Sequence, residues 1–474
     1  MGVIIGLEIH TQLSTASKLF CGCSTDYRDD RPNTHVCPIC MGLPGSLPRI
    51  NRKSVEYALK VAKALHCEVL EEAEFARKNY FYPDLPKGFQ ITMYDHPLGV
   101  NGYIEIEGEE GREKRIRITR VHLEEDPGRL VHMGGGDRPR YSLVDYNRSG
   151  IPLLEIVTEP DLRSPKEARR LLNILRATLE YLSVFDGDRE GALRVDANIS
   201  LEGYSRVEIK NISSYKGVEK ALTFEITRQK SLIRRGQTVD RETRHFQEAR
   251  GITTSSRSKE AEQDYRYFPE PDLRPLRVRD WVDRIALPEL PDARRDRFMA
   301  QYGISLNHAR TLTGDLRLAD LYEQVAPVDP ILSATWIADT LLGELYYRSM
   351  GIGDVPVAQF IELLELLKTG SITDKGAVQV LRTLLDQALQ NETIESPSNV
   401  VQRLGLGKTA GDEFTPLAEE VIAANPSAVE DYRKGKKGAL NFLVGQLMKK
   451  TRGRADPREL GEMLEALISG QAGE

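Results

Sequence analysis

Hydrophobic and polar positions alternate with period two in several stretches of the chain, and each predicts a strand with one apolar and one polar face. In GLEIHTQL, Leu7 and Ile9 fall on one side of an extended backbone, and Glu8, His10 and Gln12 on the other. In RVDANISLEG, Asp196, Asn198 and Ser200 alternate with Val195, Ala197 and Ile199, and VEIKNISS places Glu208 and Lys210 on one face in the same way. Strands whose outer faces carry functional groups suit the wall of a polar cleft. RIRITRVHLEEDPGRLVH starts as a strand with Ile116 and Ile118 on one face and ends in Glu124, Glu125 and Asp126. The run Ile151–Val157 is apolar except for Glu155, which therefore needs a cation partner.

Period 3.6 marks the helices. Val55, Ala58, Leu59, Ala62 and Leu65 share one face, and Cys67 is assigned to the same apolar pattern. Ser164-Pro165-Lys166-Glu167 is a capping box with proline at the first helical position, ahead of Ala168, Leu171, Leu172, Leu175, Leu179 and Leu182. A Lys/Arg-rich helix over about 216–235 stops at Gly236. LPELP, residues 287–291, is a proline-bounded joint, and from Asp292 the pattern is almost wholly helical.

At 474 residues the chain is long enough for two to four domains, each with its own core. No apolar run reaches the ~18 residues of a membrane span, and MGVIIGLEIH lacks a basic leader, so a cytoplasmic protein without a membrane role is expected. The net charge of −6 argues against a protein coated in positive charge. Arg433–Arg458 is the exception: nine Lys/Arg face one acid, Asp456, which suggests a polyanion met at one place.

Four of the five cysteines, Cys21, Cys23, Cys37 and Cys40, form a C-x-C…C-x-x-C arrangement. Two short-spaced pairs can close a tetrahedral zinc site, structural because no ligand position stays open. Zinc is preferred over buried free thiols, which are common singly, and over a redox pair, which would sit in a βαβ pattern. RKNYFYPDLPKGFQITMYDHPLG, with Lys78, Lys87, Tyr80, Tyr82 and Tyr94, predicts a rigid aromatic loop for a nucleotide or charged substrate; the same spacing suits a surface hairpin. Taken alone, Glu124–Asp126 is better read as a solvated acidic turn than as a metal site, and Asp145, Glu155, Glu159 and Asp161 make a second acidic group. Residues 253–276, with Arg257, Lys259, Asp264, Tyr265, Arg266 and Tyr267, predict a polar arch. Gly405-Leu-Gly-Lys408-Thr409 ends like a P-loop, but Gln402 stands where its first glycine belongs and no strand leads in, so it is rejected as a phosphate site.

Eight blocks in order carry a resemblance: GLEIHTQL, RKNYFYPDLPKG, HLEEDPG, SGIPLLEIVTEPD, RVDANIS, EIKNISS, DYRYFPEPDL and GALNFLVGQLMK. Over essentially its whole length the chain resembles the GatB/GatE family of aspartyl/glutamyl-tRNA(Asn/Gln) amidotransferase subunits, on the GatB side because it is too short for the GatE insertion. The resemblance implies an α+β fold: a mixed-sheet cradle with a zinc-binding loop (1–292), a helical domain (293–405) and a small helical YqeY-like tail (406–474). It implies phosphorylation by ATP, with Mg2+, of the side-chain carboxylate of Glu or Asp mischarged on tRNA. Amidation follows with ammonia from the amidase subunit GatA, in a complex with the small subunit GatC.

On that resemblance Glu8, His10, Glu124, Glu155 and Asp196 are the catalytic candidates, with His10, Glu124 and Glu155 on magnesium. Lys78, Tyr80, Tyr82, Lys87, Asn198, Lys210 and Arg257 are the substrate or ATP contacts. Sequence does not separate Glu124 from Glu125. Two alternatives stay open: a tRNA-binding scaffold that leaves all chemistry to a partner, and a free-standing ligase using external ammonia.

Overall fold

The structure is a computed structural model that describes residues 1–109, 111–133, 141–189, 191–258, 264–407, 414–450 and 457–470. Its chain divides into two compact units between Pro291 and Asp292. In chain order, the first unit contains β1 (Val3–Gln12), α1 (Arg52–Ala64), β2 (Glu68–Val69), β3 (Glu72–Ala73), β4 (Ala76–Asn79) and β5 (Phe89–Thr92). Next come β6 (Gly99–Glu107), β7 (Glu113–Glu125), β8 (Arg129–Met133), β9 (Tyr141–Asp145) and β10 (Pro152–Thr158). Then follow α2 (Pro165–Tyr181), β11 (Leu193–Leu201), β12 (Val207–Ile212), α3 (Tyr215–Arg234), β13 (Glu242–Gln247), β14 (Ile252–Ser258), β15 (Phe268–Pro269) and β16 (Leu276–Arg277).

Nine strands form one mixed sheet in the order β14-β13-β12-β11-β1-β10-β7-β6-β2. Only β12 and β13 run parallel among its pairs, and α3 is the crossover such a pair requires. The predicted alternation holds: Ile5, Leu7 and Ile9 of β1 are buried against α1, α2 and α3 with Val195, Ala197 and Ile199 of β11, while Glu8 and His10 face the other way. Each such Ile or Leu contributes about 1.5–3 kcal/mol by leaving water. Helix α2 starts as predicted, with the Ser164 hydroxyl accepting from Glu167 N at 3.2 Å. The Glu167 carboxylate accepts from Arg163 N, one residue before the cap, and from Lys114 Nζ.

Three expectations change. Cys67 is past the end of α1, in the turn into β2, and packs where Gly102 has no side chain: a Cβ there would sit 2.4 Å from Cys67 Sγ. Residues 77–99 are not one loop, because β4 and β5 pair within them and β15 joins the same small sheet. The acidic run ending β7 is no solvated turn: Glu124, Glu125 and Asp126 are all buried. Charge partners make that burial possible. Asp126, fully enclosed, accepts from Gln12 Nε2 at 2.7 Å and from Arg194 at 2.6 Å, with Arg148 3.7 Å away.

The second unit is helical among its described residues, and most of its helices open on a side-chain cap such as Ser305, Asp315, Asp329, Thr373 or Ser396. Gly405, in the left-handed conformation at φ 62°, ends helix Pro397–Leu404, so a helix leads into the rejected P-loop segment; Lys408 and Thr409 lie outside the described residues. Residues 414–468 contribute a buried cluster that includes Phe414, Val421, Leu443, Leu447, Leu460 and Leu464. The basic excess around it is smaller in space than in sequence. Lys434, Lys436 and Arg458 pair with Glu430, Asp431 and Glu462 at 3.2, 2.9 and 3.4 Å, and Lys450 pairs with Glu420. Each of these acids stands outside the span Arg433–Arg458. Arg452 and Arg454 lie outside the described residues.

Asp126 generates a stability prediction. Burial would raise its pKa, but the charges of Arg194 and Arg148, with the hydrogen bonds from Arg194 and Gln12, outweigh burial and lower it. Its stabilisation is therefore full above the unfolded carboxylate range near pH ~3.9 and is lost as pH falls through the depressed folded value. Asp126→Asn should destabilise the sheet unit by about 3 kcal/mol at pH 7 because two arginines lose their anion. Hydrogen exchange of strands 3–12 and 193–201 across a urea series should show this, with the gap to wild type narrowing below pH 4.

Candidate active site

Register alone assembles the site. His10 of β1 stands opposite Glu155 of β10 on one side and Arg194 of β11 on the other, and Glu155 stands opposite His122 of β7. Directly opposed residues share a face, so Arg194, His10, Glu155 and His122 form one row across four strands. Two residues along β1, Glu8 stands opposite Asp196, and Asn198 stands opposite Glu208 of β12. The sequence-predicted residues Glu8, His10, Glu124, Glu155, Asp196, Asn198 and Lys210 are thus brought onto one face of the sheet.

Within the row, His10 Nε2 lies 3.4 Å from Glu155 Oε2 and 3.7 Å from Glu124 Oε1. A second imidazole, His122, reaches the same Glu155 Oε2 at 3.3 Å and Glu124 Oε2 at 4.0 Å. Arg120 stands 3.8 Å from Glu155 Oε1, so cationic groups bracket both carboxylate oxygens. His122 is 2% exposed, and its Nδ1 finds no hydrogen-bond partner. Sequence reasoning misses it, although the signal is present: it precedes Glu124 by two residues on the same strand and therefore shares its face.

Electrostatics separates groups that look alike in the sequence. Burial would lower His10, but the hydrogen bond and charge of Glu155, with Glu124 and Asp196, raise it to about 9. Glu155 goes well below the usual carboxylate range: burial opposes this, and the His122 charge and the bonds from both imidazoles prevail. Glu8 moves up, through burial first and then the charges of Glu155 and Asp196, with only the Asn198 amide at 2.9 Å opposing them. Glu8, Asp196 and Glu208 can bring one oxygen each within 4.8 Å of one another, and Lys210 lies 3.2 Å from Glu208 and 3.7 Å from Asp196.

Glu124 and Glu125, indistinguishable in the sequence, point to different partners. Glu125 is held by Lys87 at 2.6 Å and by Ile91 N at 2.9 Å, whereas Glu124 turns to Thr92 and the histidines. Lys87 therefore sits on a buried carboxylate instead of facing an open cleft. Lys78 lies 4.9 Å above the Tyr265 ring, which contacts Tyr80 and Tyr267, and Tyr267 stacks on Tyr94 with centroids 4.0 Å apart. Burial, with charges that include Glu124, raises the Tyr80 and Tyr267 phenols, so this aromatic group borders the polar row. Tyr82 is exposed at the hairpin turn. Arg257 belongs to β14 with its side chain outside the described ones, and Lys259 lies outside the described residues.

The four clustered cysteines converge too, their sulfurs all within 4.8 Å of one another. A tetrahedron with Zn–S bonds of ~2.3 Å needs sulfurs about 3.8 Å apart, so the set fits zinc. The turn is prepared for a thiolate: Cys37 N points at Cys40 Sγ from 3.1 Å, and Gly42 takes φ 65° to close it. Among the described residues no helix is long and apolar enough to cross a membrane.

Residues 3–283 match the family model described as the GatB/GatE catalytic domain, and residues 320–468 match the GatB domain model. The chain is 66% identical over 472 residues to the aspartyl/glutamyl-tRNA(Asn/Gln) amidotransferase GatB subunit of Methanoregula boonei, covering 98% of each chain. It is 65% identical over 465 residues to the protein of the same name from Methanospirillum hungatei, again covering 98% of each. Identity to the Haloarcula marismortui protein of that name is 50% over 496 residues, covering 98% of this chain and 97% of that one. With a catalytic-domain match over more than half its length and relatives this similar from end to end, the chain belongs to the GatB family of tRNA-dependent amidotransferase subunits.

Proposed function

We propose that the polar face of the sheet activates the side-chain carboxylate of Glu or Asp carried on tRNA(Gln) or tRNA(Asn), by phosphorylation from ATP. Ammonia from a partner amidase (GatA, with the small subunit GatC) then displaces the phosphate and leaves an amide. The observation that carries this reading is the imidazole of His10 between the carboxylates of Glu124 and Glu155 on the floor of the sheet face. The names of the relatives support the substrate class and a multi-subunit assembly.

A carboxylate is a poor acyl donor until one oxygen becomes phosphate, and this step asks the protein for positioning and charge neutralisation. His10, Glu124 and Glu155 would hold magnesium: two hard carboxylates and one imidazole leave room for the waters this ion retains. The ion would supply positive charge for the phosphates. Lys78, Lys210 and Arg257 would face phosphate oxygens, Tyr80 and Tyr82 would line the substrate approach, and Asn198 would orient Glu8. Asp196 is held between Glu8 and Lys210 and would keep the lysine turned into the cleft. Ammonia must come from a partner, because four of the five cysteines are committed to one cluster and Cys67 is packed against glycines.

The test is ATP hydrolysis dependent on misacylated tRNA, together with amide formation from added ammonium, in the complex with its partner subunits. His10→Ala and Glu124→Ala should each lower phosphate release at least 100-fold, while tRNA affinity stays within about threefold. Normal phosphate release in the double variant would overturn the assignment and favour the scaffold reading.

His122 should behave as a positioning residue. His122→Leu loses the contact that fixes Glu155, so half-maximal rate should need about tenfold more magnesium, with a smaller change in the rate at saturating magnesium. An unchanged magnesium dependence would show that its contact to Glu155 is idle.

A further inference from the structure

Lys18 is fully buried, one of the largest side chains in the protein with no exposure. Its ammonium donates to His35 O at 2.7 Å, lies 3.5 Å from Tyr146 O, and points at Cys40 Sγ from 3.8 Å. No carboxylate among the described residues pairs with it. Carbonyl oxygens offer dipoles but no net charge, and a buried cation without an anion is strongly unfavourable. The stem has no slack: Gly150, at φ 86°, passes so close that a Cβ there would lie 3.5 Å from Lys18 Cδ and 3.6 Å from Cys40 Cβ.

The nearest source of negative charge is the cysteine cluster. Four thiolates around a divalent zinc carry a net charge of −2, and the same four sulfurs as thiols carry none. We propose that Lys18 is the counter-ion of a tetrathiolate zinc site at Cys21, Cys23, Cys37 and Cys40, so that the cysteine loop closes around its metal and this lysine together. The inference rests on the zinc reading of the cysteines and goes beyond it in assigning a residue outside the ligand set. With metal, ammonium and thiolates neutralise one another. Without it, the thiols take up protons and Lys18 becomes an unpaired buried charge, which drives the loop open. The lysine also joins two segments by donating to His35 O and Tyr146 O. A purely cross-linking lysine would need donors but no charge.

The experiment compares wild type with Lys18→Gln, Lys18→Met and Lys18→Arg in the full chain. Elemental analysis gives zinc content, and competition with a chromophoric chelator gives affinity. Wild type should carry one zinc. Lys18→Gln, which keeps a donor and loses the charge, should bind zinc about 10–100-fold more weakly, as should Lys18→Met. Lys18→Arg should stay within about threefold of wild type. Zinc-loaded wild type with Lys18→Gln at equal affinity would overturn the counter-ion role and leave the cysteine site standing. Zinc-free wild type would overturn the cysteine reading itself, and the proposal with it.

Should the neutral variants not fold, acetylation of wild-type lysines followed by mass spectrometry decides the matter. Lys63, which also donates only to backbone carbonyls, is the internal standard. Chelation should speed acetylation of Lys18 at least tenfold and leave Lys63 unchanged. Equal protection of Lys18 with and without metal would overturn the proposal.

Discussion

A single enclosed carboxylate, Asp126, ties together the parts from which the polar face is built. It follows β7, accepts from Gln12 at the end of β1 and from Arg194 near the start of β11, and its backbone bonds to Ile151 just before β10. Four neighbouring strands are thereby pinned at one end. Their register then decides which side chains meet, and a slip of one residue would turn every functional group into the core. The anion has no solvent to fall back on, so its arginines are obligatory partners.

The two faces of the sheet follow opposite physics. On one side, apolar residues from alternate positions pack on three helices and supply most of the driving force for folding. On the other, charges are held at low exposure by mutual compensation. That arrangement sets apart residues of the same type: Glu155 is kept ionised by two imidazoles, while Glu8 is pushed toward neutrality by its anionic neighbours. Pairs of groups driven apart in this way mark where acid–base or charge chemistry can be done.

Much of this is legible in the sequence because a strand has a period of two. Alternation places Glu8, His10, Asp196 and Asn198 correctly on one face before any pairing is known. The cysteine spacing announces its cluster, and Ser164 and Pro165 announce their helix. What cannot be read is anything set by register between distant strands. His122 and Arg120 become meaningful only when β7 settles beside β10, and Glu124 parts from Glu125 only when β5 brings Ile91, and the turn before it Lys87, to the latter. The basic tail misleads for a related reason: a count along the chain omits the acids that helices bring back one turn away or across a bundle.

The central place of β1 has a consequence for how the chain is made. This strand leaves the ribosome well before either of its partners, β10 and β11, and Val3 pairs with Leu201. At ~5–20 residues per second, roughly 10–40 s pass before that partner is synthesised. Through that interval a strand rich in isoleucine has both edges unpaired, the condition in which chains associate with one another or with chaperones. The residues at the heart of the finished site thus begin as its most vulnerable segment, and the order of synthesis makes their protection a matter of timing.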